Sequence, residues 1–367
     1  MILMNDFKAE PAEMRQAQLE AARRVFESGW YVLGSECQSF ERQWAQACDT
    51  RHCVGVGNGM DAIELALRGL GIGPGDEVIT TPMTAFATVL AVLRAGAIPV
   101  LADIDPASGH LDPASVQRCL SPRTRAVVLV HLYGQMRAMS TWEALCAQVG
   151  IALIEDCAQA HLASLGGRSA GSIGKAGAWS FYPTKNLGAI GDGGAVVCSD
   201  DELAARVARL RNYGQSERYY HPELGMNSRL DELQAAILSA RLKWLPGATE
   251  TRRQIAQTYR RELNNPAVEL LAAPEEAGAH VYHLFVVRCA TRDELQAHLK
   301  QAGVQSLVHY PVPVHHQEPC RDLRRDPQGL PQAERHGQVC LSLPCHPQMT
   351  ADQVGQVVDA VNAFRLG

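Results

Sequence analysis

The strongest constraint on the fold is an alternation of helical and extended segments that begins at about residue 55. The first helix of this alternation, over 60–70, places Ile63, Leu67 and Leu70 on one face. Strand, helix and strand patterns then follow in turn as far as IALIED at 151–156. The strands are short and almost continuously apolar, as is typical of parallel strands covered on both faces. The sequence therefore predicts an α/β fold with a doubly wound, mostly parallel central sheet.

The pattern changes after residue 200. RLDELQAAILSARLKWL reads as a long amphipathic helix that Pro246 and Gly247 would end. Beyond it, VYHLFVVRC is extended, RDELQAHLKQAG is helical and a closing helix begins at about Ala351, which together indicate a smaller α/β unit. We therefore predict a large domain over 1–246, including an N-terminal helical segment, and a small C-terminal domain over 247–367.

Charge and cysteine content exclude several classes of protein. The net charge is -5, and the two signs are interspersed, which argues against nucleic acid or an anionic membrane as partner. No apolar stretch approaches the ~20 residues that span a bilayer, and the N-terminus turns charged too early for a signal peptide. The 11 cysteines include no Cys-x-x-Cys pair, which favours reduced thiols over disulfides or a zinc knuckle. We expect a cytoplasmic protein.

Two residues at loop positions carry the strongest chemical signal. Asp156 ends the apolar strand IALIED, and ligands of open α/β sheets gather at the carboxyl ends of strands. Lys185 follows 29 residues later, in the Pro- and Gly-rich loop SFYPTKNLGAIGDGGA. Alone, each is more often a turn-capping carboxylate or a solvated lysine. Together they are the pair that pyridoxal phosphate needs, a lysine for the Schiff base and a carboxylate for the pyridine nitrogen.

A glycine-rich turn precedes the first helix of the alternation. Gly55, Gly57 and Gly59 allow the backbone to approach an anion closely where free N–H groups and the helix dipole favour a phosphate. No Gly-Lys-Ser/Thr follows, so the turn is not a Walker loop. Such a trio is as often a plain turn, and it supports a phosphate site only because the cofactor requires one.

Several motifs resemble those of the DegT/DnrJ/EryC1/StrS sugar aminotransferases, which are fold type I pyridoxal-phosphate enzymes of the aspartate aminotransferase-like fold. The motifs run in family order over nearly the whole chain: GNGMDAIELAL, TPMTAFAT, PVLADID, HLYGQ, IEDCAQAH, SFYPTKNLGAIGDGGA, GMNSRLDELQAA and HYPVPVHHQ. IEDCAQAH together with SFYPTKNLG is highly specific for that family, and HYPVPVH is moderately so.

The resemblance assigns cofactor roles to particular residues. It implies that Lys185 is the Schiff-base lysine and proton shuttle and that Asp156 pairs with the pyridine nitrogen. The remaining cofactor contacts it implies are the backbone at Gly59 and Met60, the Phe86 ring, the Gln159 amide, the Ser180 hydroxyl and, from a neighbouring subunit, Asn227. That last contact implies a homodimer with shared active sites. Because the family often has a hydroxyl residue where Met60 stands, the phosphate contact there is expected from backbone N–H or a neighbour.

The resemblance also indicates substrate contacts. Those it implies are Tyr182 and His309 near the sugar, Arg218 near the nucleotide pyrophosphate, and more weakly Tyr310 and His315. The alternative for HYPVPVHH is a rigid, Pro-bounded loop with exposed aromatic residues. Its three histidines are accompanied by no carboxylate or cysteine at ligand spacing, so we predict no metal site.

The expected function is an amino transfer in two stages. The amino donor, glutamate by family analogy, loads the cofactor, which then aminates a keto group of a nucleotide-linked 6-deoxyhexose. The motifs resemble those of enzymes acting at C3 of dTDP-sugars more than those acting at C4. A 4-keto sugar aminotransferase remains the nearest alternative, and a related dehydratase is disfavoured because those relatives carry histidine in place of Lys185. Two other classes are a non-catalytic ligand-binding or regulatory protein of this fold and a nicotinamide-dependent oxidoreductase, which lacks a clean Gly-x-Gly-x-x-Gly here.

Overall fold

The computed structural model describes residues 1–365 and contains a central sheet of eight strands, in the order β1-β9-β8-β5-β4-β2-β3-β12. All pairings are parallel except those of β9 with β1 and with β8, so the predicted mostly parallel sheet is confirmed. The strands of this sheet are β1 (His52–Val56), β2 (Glu77–Thr80), β3 (Ile98–Leu101), β4 (Thr124–Val130), β5 (Ala152–Asp156), β8 (Ala176–Ser180), β9 (Gly194–Cys198) and β12 (Arg324–Arg325).

Two helices precede β1, and the others come after it in the sequence. Over the described residues they are α1 (Ala12–Ser28), α2 (Ser35–Ala47), α3 (Gly59–Gly69), α4 (Phe86–Arg94), α5 (Pro113–Cys119), α6 (Met139–Val149), α7 (Asp201–Leu210), α8 (Glu232–Leu242), α9 (Leu245–Glu262), α10 (Arg292–Gln301), α11 (Pro331–Val339) and α12 (Ala351–Ala363). Over this part of the chain, no helix is both long and apolar enough to cross a bilayer.

Two apolar cores, one on each face of the large sheet, explain the continuously apolar strands. Along β4, Val127 and Leu129 belong to one core, whereas Ala126 and Val128 belong to the other. Side chains alternate between faces along a strand, so a strand covered on both sides is apolar at most positions. This is why the strand pattern could be recognised from the sequence.

A smaller sheet of three antiparallel strands lies in the C-terminal part, with the order β10 (Glu269–Leu270), β11 (Phe285–Arg288), β13 (Cys340–Leu343). A third core packs it against residues of α9, α10 and α12. A separate two-stranded hairpin is formed by β6 (Ser164–Leu165) and β7 (Arg168–Ser169). β12 belongs to the C-terminal part but pairs with β3 of the large sheet. The division near residue 246 stays a prediction.

One predicted boundary is wrong. The helix that Pro246 and Gly247 were expected to end stops already at Leu242, and a new helix, α9, begins at Leu245 with Pro246 in its first turn. Proline has no backbone N–H, and the first turn of a helix has no intrahelical acceptor for that N–H, so a proline there starts a helix as readily as it ends one.

Candidate active site

The carboxyl end of β5 positions Asp156. Its carboxylate is buried and accepts a hydrogen bond of 2.8 Å from the Thr88 hydroxyl and one of 3.1 Å from the Ala158 N–H. Burial raises the pKa of Asp156, while these two donors and the charge of Lys185 oppose the rise. Asp156 is therefore a desolvated carboxylate with few fixed donors, suited to meet a cationic group.

The neighbouring Glu155 has a different role. It is fully buried and accepts hydrogen bonds from the backbone N–H groups of Gly171, Ile173 and Gly174 at 2.7–3.0 Å and from His131 at 2.8 Å. Burial alone would raise the pKa of Glu155, but these donors hold it below the ordinary value. Glu155 thus fixes the loop between β7 and β8, whereas Asp156 is available for chemistry.

Lys185 lies in the loop between β8 and β9, where its N–H donates to the Tyr182 carbonyl at 2.8 Å. Burial lowers the pKa of Lys185, and the charge of Asp156 acts in the opposite direction. The structure therefore brings these two residues, 29 apart in sequence, close enough to influence each other's charge. A lowered pKa favours the neutral amine, which is the nucleophilic form.

Gln159 connects several predicted site residues. Its side-chain oxygen accepts the Tyr133 N–H at 2.5 Å, and its amide nitrogen donates to the Tyr310 hydroxyl at 3.2 Å. The Tyr133 hydroxyl in turn donates to the His309 carbonyl at 2.7 Å. The loop that carries His309 and Tyr310 is thereby attached to the segment that follows β5.

The charges around this loop place it in the same site. Burial raises the pKa of Tyr310 to about 12, and the charge of Asp156 contributes to the rise. Burial and the charge of Lys185 lower the pKa of His309 to about 4, so its ring is neutral at pH 7. The His309 ring also lies 2.8 Å from the Ser342 hydroxyl.

The start of α3 packs directly onto the end of β8. A Cβ on Gly59 would lie 2.6 Å from the Cβ of Ser180, so only glycine permits this approach. The Asn58 side chain caps the helix by accepting the Asp61 N–H at 2.9 Å, which leaves the backbone N–H groups of Gly59 and Met60 in the free first turn. Together with the Ser180 hydroxyl, they form a cradle suited to a phosphate.

Phe86 begins α4 and is partly buried. It packs against the apolar cluster that also includes Met83, Tyr133 and Tyr310. Its place two residues before Thr88, the donor to Asp156, puts it at the end of the sheet where the other cofactor candidates lie.

Three predicted contacts lie on the surface of this chain. The Tyr182 side chain is 53% exposed, next to the Lys185 loop. Arg218 is exposed and stacks its guanidinium on the Tyr219 ring at 5.0 Å. Asn227 is exposed and forms a β-bridge with Asn212.

His315 is buried, and its ring nitrogen lies 3.1 Å from the Glu334 carboxylate. The sequence has no carboxylate at ligand spacing from the histidines of HYPVPVHH, but the fold brings one to His315. Glu334 is 19 residues from His315, and α11 returns it to the loop, a contact that short-range spacing does not reveal.

Sequence reasoning missed several residues of this site. Thr88 and Tyr133 both lie within recognised motifs, TAFAT and HLYGQ, but nothing in their spacing identified their partners. His283 lies 3.2 Å from the side chain of Asn186, the residue after Lys185, and burial lowers the pKa of His283 well below its ordinary value. It is 97 residues from Asn186 in sequence, so local patterns could not connect the two.

The residues brought together match the chemical groups of pyridoxal phosphate. At Gly59 a Cβ would collide with Ser180, and the free N–H groups at this helix start suit a phosphate. The buried carboxylate of Asp156 suits a protonated ring nitrogen. The desolvated amine of Lys185 suits a carbonyl carbon.

Comparison with known proteins gives a consistent set of similarities. The model of the DegT/DnrJ/EryC1/StrS aminotransferase family matches residues 12–362. The chain is 46% identical to a Streptomyces venezuelae protein named dTDP-3-amino-3,4,6-trideoxy-alpha-D-glucose transaminase, over 98% of this chain and 95% of that protein. It is 45% identical to the erythromycin biosynthesis sensory transduction protein EryC1 of Saccharopolyspora erythraea, over 98% of both chains.

A solved structure agrees with these sequence similarities. The crystal structure of S. venezuelae DesV in complex with a ketimine intermediate superposes with a TM-score of 0.96 at 44% identity. The match covers 100% of this chain and 99% of that one, so the similarity extends over both sheets.

Proposed function

The chain belongs to the DegT/DnrJ/EryC1/StrS aminotransferase family and is a pyridoxal-phosphate-dependent aminotransferase; from this premise we propose that it aminates C3 of a dTDP-linked 3-keto-6-deoxyhexose. Glutamate is the proposed amino donor. The observation that carries the proposal is the pairing of Lys185 with Asp156 in one desolvated site, in a chain so similar to a named dTDP-3-amino-sugar transaminase.

When bound, pyridoxal phosphate supplies an electron sink and a carbonyl carbon for amino groups. We assign the carbonyl end to Lys185, whose pKa burial lowers, and we propose that its Nζ moves protons between donor and acceptor carbons. Asp156 holds the ring nitrogen in its protonated form, oriented by the hydrogen bond from Thr88. Gln159 is assigned to the ring hydroxyl, and Phe86 to the ring face.

The phosphate end is assigned to the cradle at the start of α3. The backbone N–H groups of Gly59 and Met60 point out of the helix terminus, and the Ser180 hydroxyl faces them across the contact that Gly59 permits. The hydrophobic side chain of Met60 has no role in this contact, which explains how the chain dispenses with the hydroxyl that relatives carry there.

The substrate contacts proposed are Tyr182, His309 and Tyr310 for the sugar and Arg218 for the pyrophosphate. His309 is neutral at pH 7, so it can donate or accept a hydrogen bond without repelling Lys185. The Arg218 guanidinium is planar and suited to two phosphate oxygens at once. His315 fits a supporting position better, since its ring is buried against Glu334.

A homodimer with shared sites is also proposed. Two exposed apolar side chains, Tyr31 and Ile190, lie beside the start of α8. The Tyr31 carbonyl accepts the Glu232 N–H, and the Ile190 N–H donates to the Gln234 side chain. Ile190 and Tyr182 belong to the Lys185 loop, so a second copy covering this face would also close the site. Asn227 is exposed and lies just before the same helix, on the face that we propose a second copy covers.

Mixing two inactive variants tests the shared site. Lys185→Ala and Asn227→Ala are each expected to be inactive, but a subunit pair containing one of each has one intact site. Random re-pairing should then restore about one quarter of the parent activity, as the symmetry of a dimer requires. No recovery in re-paired mixtures, or a monomer by light scattering, would refute the shared site while leaving the enzyme class untouched.

The proposed location is the cytoplasm, which suits 11 buried, unpaired cysteines.

An absorbance experiment tests the activity. The visible band of the loaded cofactor should disappear on adding glutamate and return on adding a dTDP-3-keto-6-deoxyhexose. Disappearance without return would retain the aminotransferase and move the acceptor to a 4-keto sugar. Absence of any cofactor band after incubation with pyridoxal phosphate would favour a regulatory protein, a possibility raised by the name of the S. erythraea relative.

A further inference from the structure

Three side chains form a cluster with the donor atoms of a metal site, separate from the Lys185–Asp156 pair. His315 and His316 lie on a short 3-10 helix, Val314–His316, that follows the Tyr310 loop, and Glu334 lies in the first turn of α11. One donor atom from each lies within 4.8 Å of the others. We call these residues the His-His-Glu cluster.

The distances match the coordination sphere of a small transition cation. A Glu334 carboxylate oxygen is 3.1 Å from His315 Nε2 and 3.6 Å from His316 Nε2. Ligands about 2.0–2.1 Å from a tetrahedral zinc ion are about 3.3–3.5 Å from one another. These two spacings bracket that value, and the donor atoms of the two histidines lie within 4.8 Å of each other, so side-chain rotations could bring all three onto one ion.

Burial and charge favour a cation at this position. The His315 side chain is fully buried, so an ion at its Nε2 would be partly shielded from water. Among residues 1–365, the groups that form ion pairs with Glu334 are these two histidines, so no arginine or lysine neutralises its carboxylate there. His316 and Glu334 are 52% and 44% exposed, which leaves a path for an ion and for water as a further ligand.

We propose that His315, His316 and Glu334 bind a divalent transition cation of the zinc type, which ties the segment after the Tyr310 loop to α11. The position of this site matters because α11 also carries His336, whose ring lies 2.9 Å from the Tyr133 hydroxyl. That hydroxyl donates a hydrogen bond to the His309 carbonyl. A cation at the cluster would therefore stabilise the segment that presents His309 and Tyr310.

The expected affinity is moderate. The second ring nitrogen of His315, Nδ1, is buried and has no hydrogen-bond partner among the described residues. Metal-binding histidines usually donate from that nitrogen to an acceptor that orients the ring, and loss of such a partner weakens binding by about 10–100-fold. The site should therefore fill at micromolar rather than nanomolar free metal, and chelators should empty it without unfolding the protein.

The test uses the untagged, cofactor-loaded enzyme after chelator treatment and buffer exchange, with Zn²⁺ alone as the probe. Equilibrium dialysis with elemental analysis should give one Zn²⁺ per chain, and Co²⁺ at the same site should show the visible absorption of a four-coordinate ion. The melting temperature should rise with Zn²⁺ concentration, as it does for a ligand that binds the native state.

His316→Ala is the informative variant, because this side chain is half exposed and its loss should leave the fold intact. It should weaken Zn²⁺ binding by at least about 10–100-fold, since it removes a ligand rather than an outer partner. The matched control is His52→Ala, since His52 is also exposed and faces a carboxylate, Asp201, at 2.6 Å. Its Zn²⁺ affinity should equal that of the parent. Sub-stoichiometric uptake by the parent, or unchanged affinity in His316→Ala, would overturn the proposal.

Discussion

Replacing Thr88 by valine should expose how the site controls the charge of Asp156. The Thr88 hydroxyl is buried and donates to the Asp156 carboxylate at 2.8 Å. Valine has nearly the same shape, so packing in the first turns of α4 is retained while the donor is lost. The ionised carboxylate is then left with the Ala158 N–H as its remaining hydrogen-bond donor within residues 1–365.

The size of the effect follows from the charge on the acceptor. A hydrogen bond to a charged group contributes about 1.5–3 kcal/mol, and each pKa unit corresponds to about 1.4 kcal/mol. Thr88→Val should therefore lower the free energy of unfolding by about 1.5–3 kcal/mol while the carboxylate is ionised, and should raise the pKa of Asp156 further above its ordinary value. The lost stability should be largest at the alkaline end of the pH range and should shrink as the pH falls through the pKa of Asp156 and the carboxyl becomes neutral.

Urea unfolding of the cofactor-free protein between pH 8 and about pH 4.5 measures this dependence. The matched control is Thr80→Val, because the Thr80 hydroxyl is equally buried but donates to a neutral acceptor, the Val128 carbonyl, at 2.9 Å. Its cost should be about 1 kcal/mol at every pH. Thr88→Ser should restore most of the loss. If Thr88→Val and Thr80→Val lost equal stability across the pH range, the inferred link between Thr88 and the charge of Asp156 would be refuted.

Three other variants probe the site and its support. Lys185→Gln should fold normally but lose at least about 10²–10⁴-fold in single-turnover amino transfer, and activity within tenfold of the parent would remove Lys185 from its assigned role. Glu155→Gln should lower the free energy of unfolding by about 3–5 kcal/mol in urea, because three backbone N–H groups and His131 lose a charged acceptor. Since the parent pKa of Glu155 lies below 4.5, that difference should narrow only as the pH falls below about 4.5, and a cost that stayed constant at lower pH would contradict it. Tyr310→Phe removes the acceptor of the Gln159 amide and should lower the free energy of unfolding in urea by about 0.5–1.5 kcal/mol. Because Tyr310 is also a proposed sugar contact, the KM for the sugar should rise, and an unchanged KM would separate Tyr310 from substrate binding.

The sequence by itself determined the sheet and the central chemical pair. Parallel strands covered on both faces are largely apolar, so β4 and β5 could be predicted without knowledge of their neighbours. Asp156 and Lys185 were recognised because each ends or follows such a strand, within motifs whose order is specific. The same reasoning failed at Pro246, because a proline's local preference is compatible with both the end of one helix and the start of the next.

Only the tertiary structure decided what each polar residue does. Glu155 and Asp156 are adjacent in sequence, but successive side chains of β5 point to opposite faces of the sheet. Glu155 therefore accepts hydrogen bonds from the backbone of a loop, whereas Asp156 faces the candidate site. Thr88, His283 and Glu334 reach their partners across 68, 97 and 19 residues. Such contacts depend on how α4, the segment before β11 and α11 pack in three dimensions, and no local periodicity in the sequence records that packing.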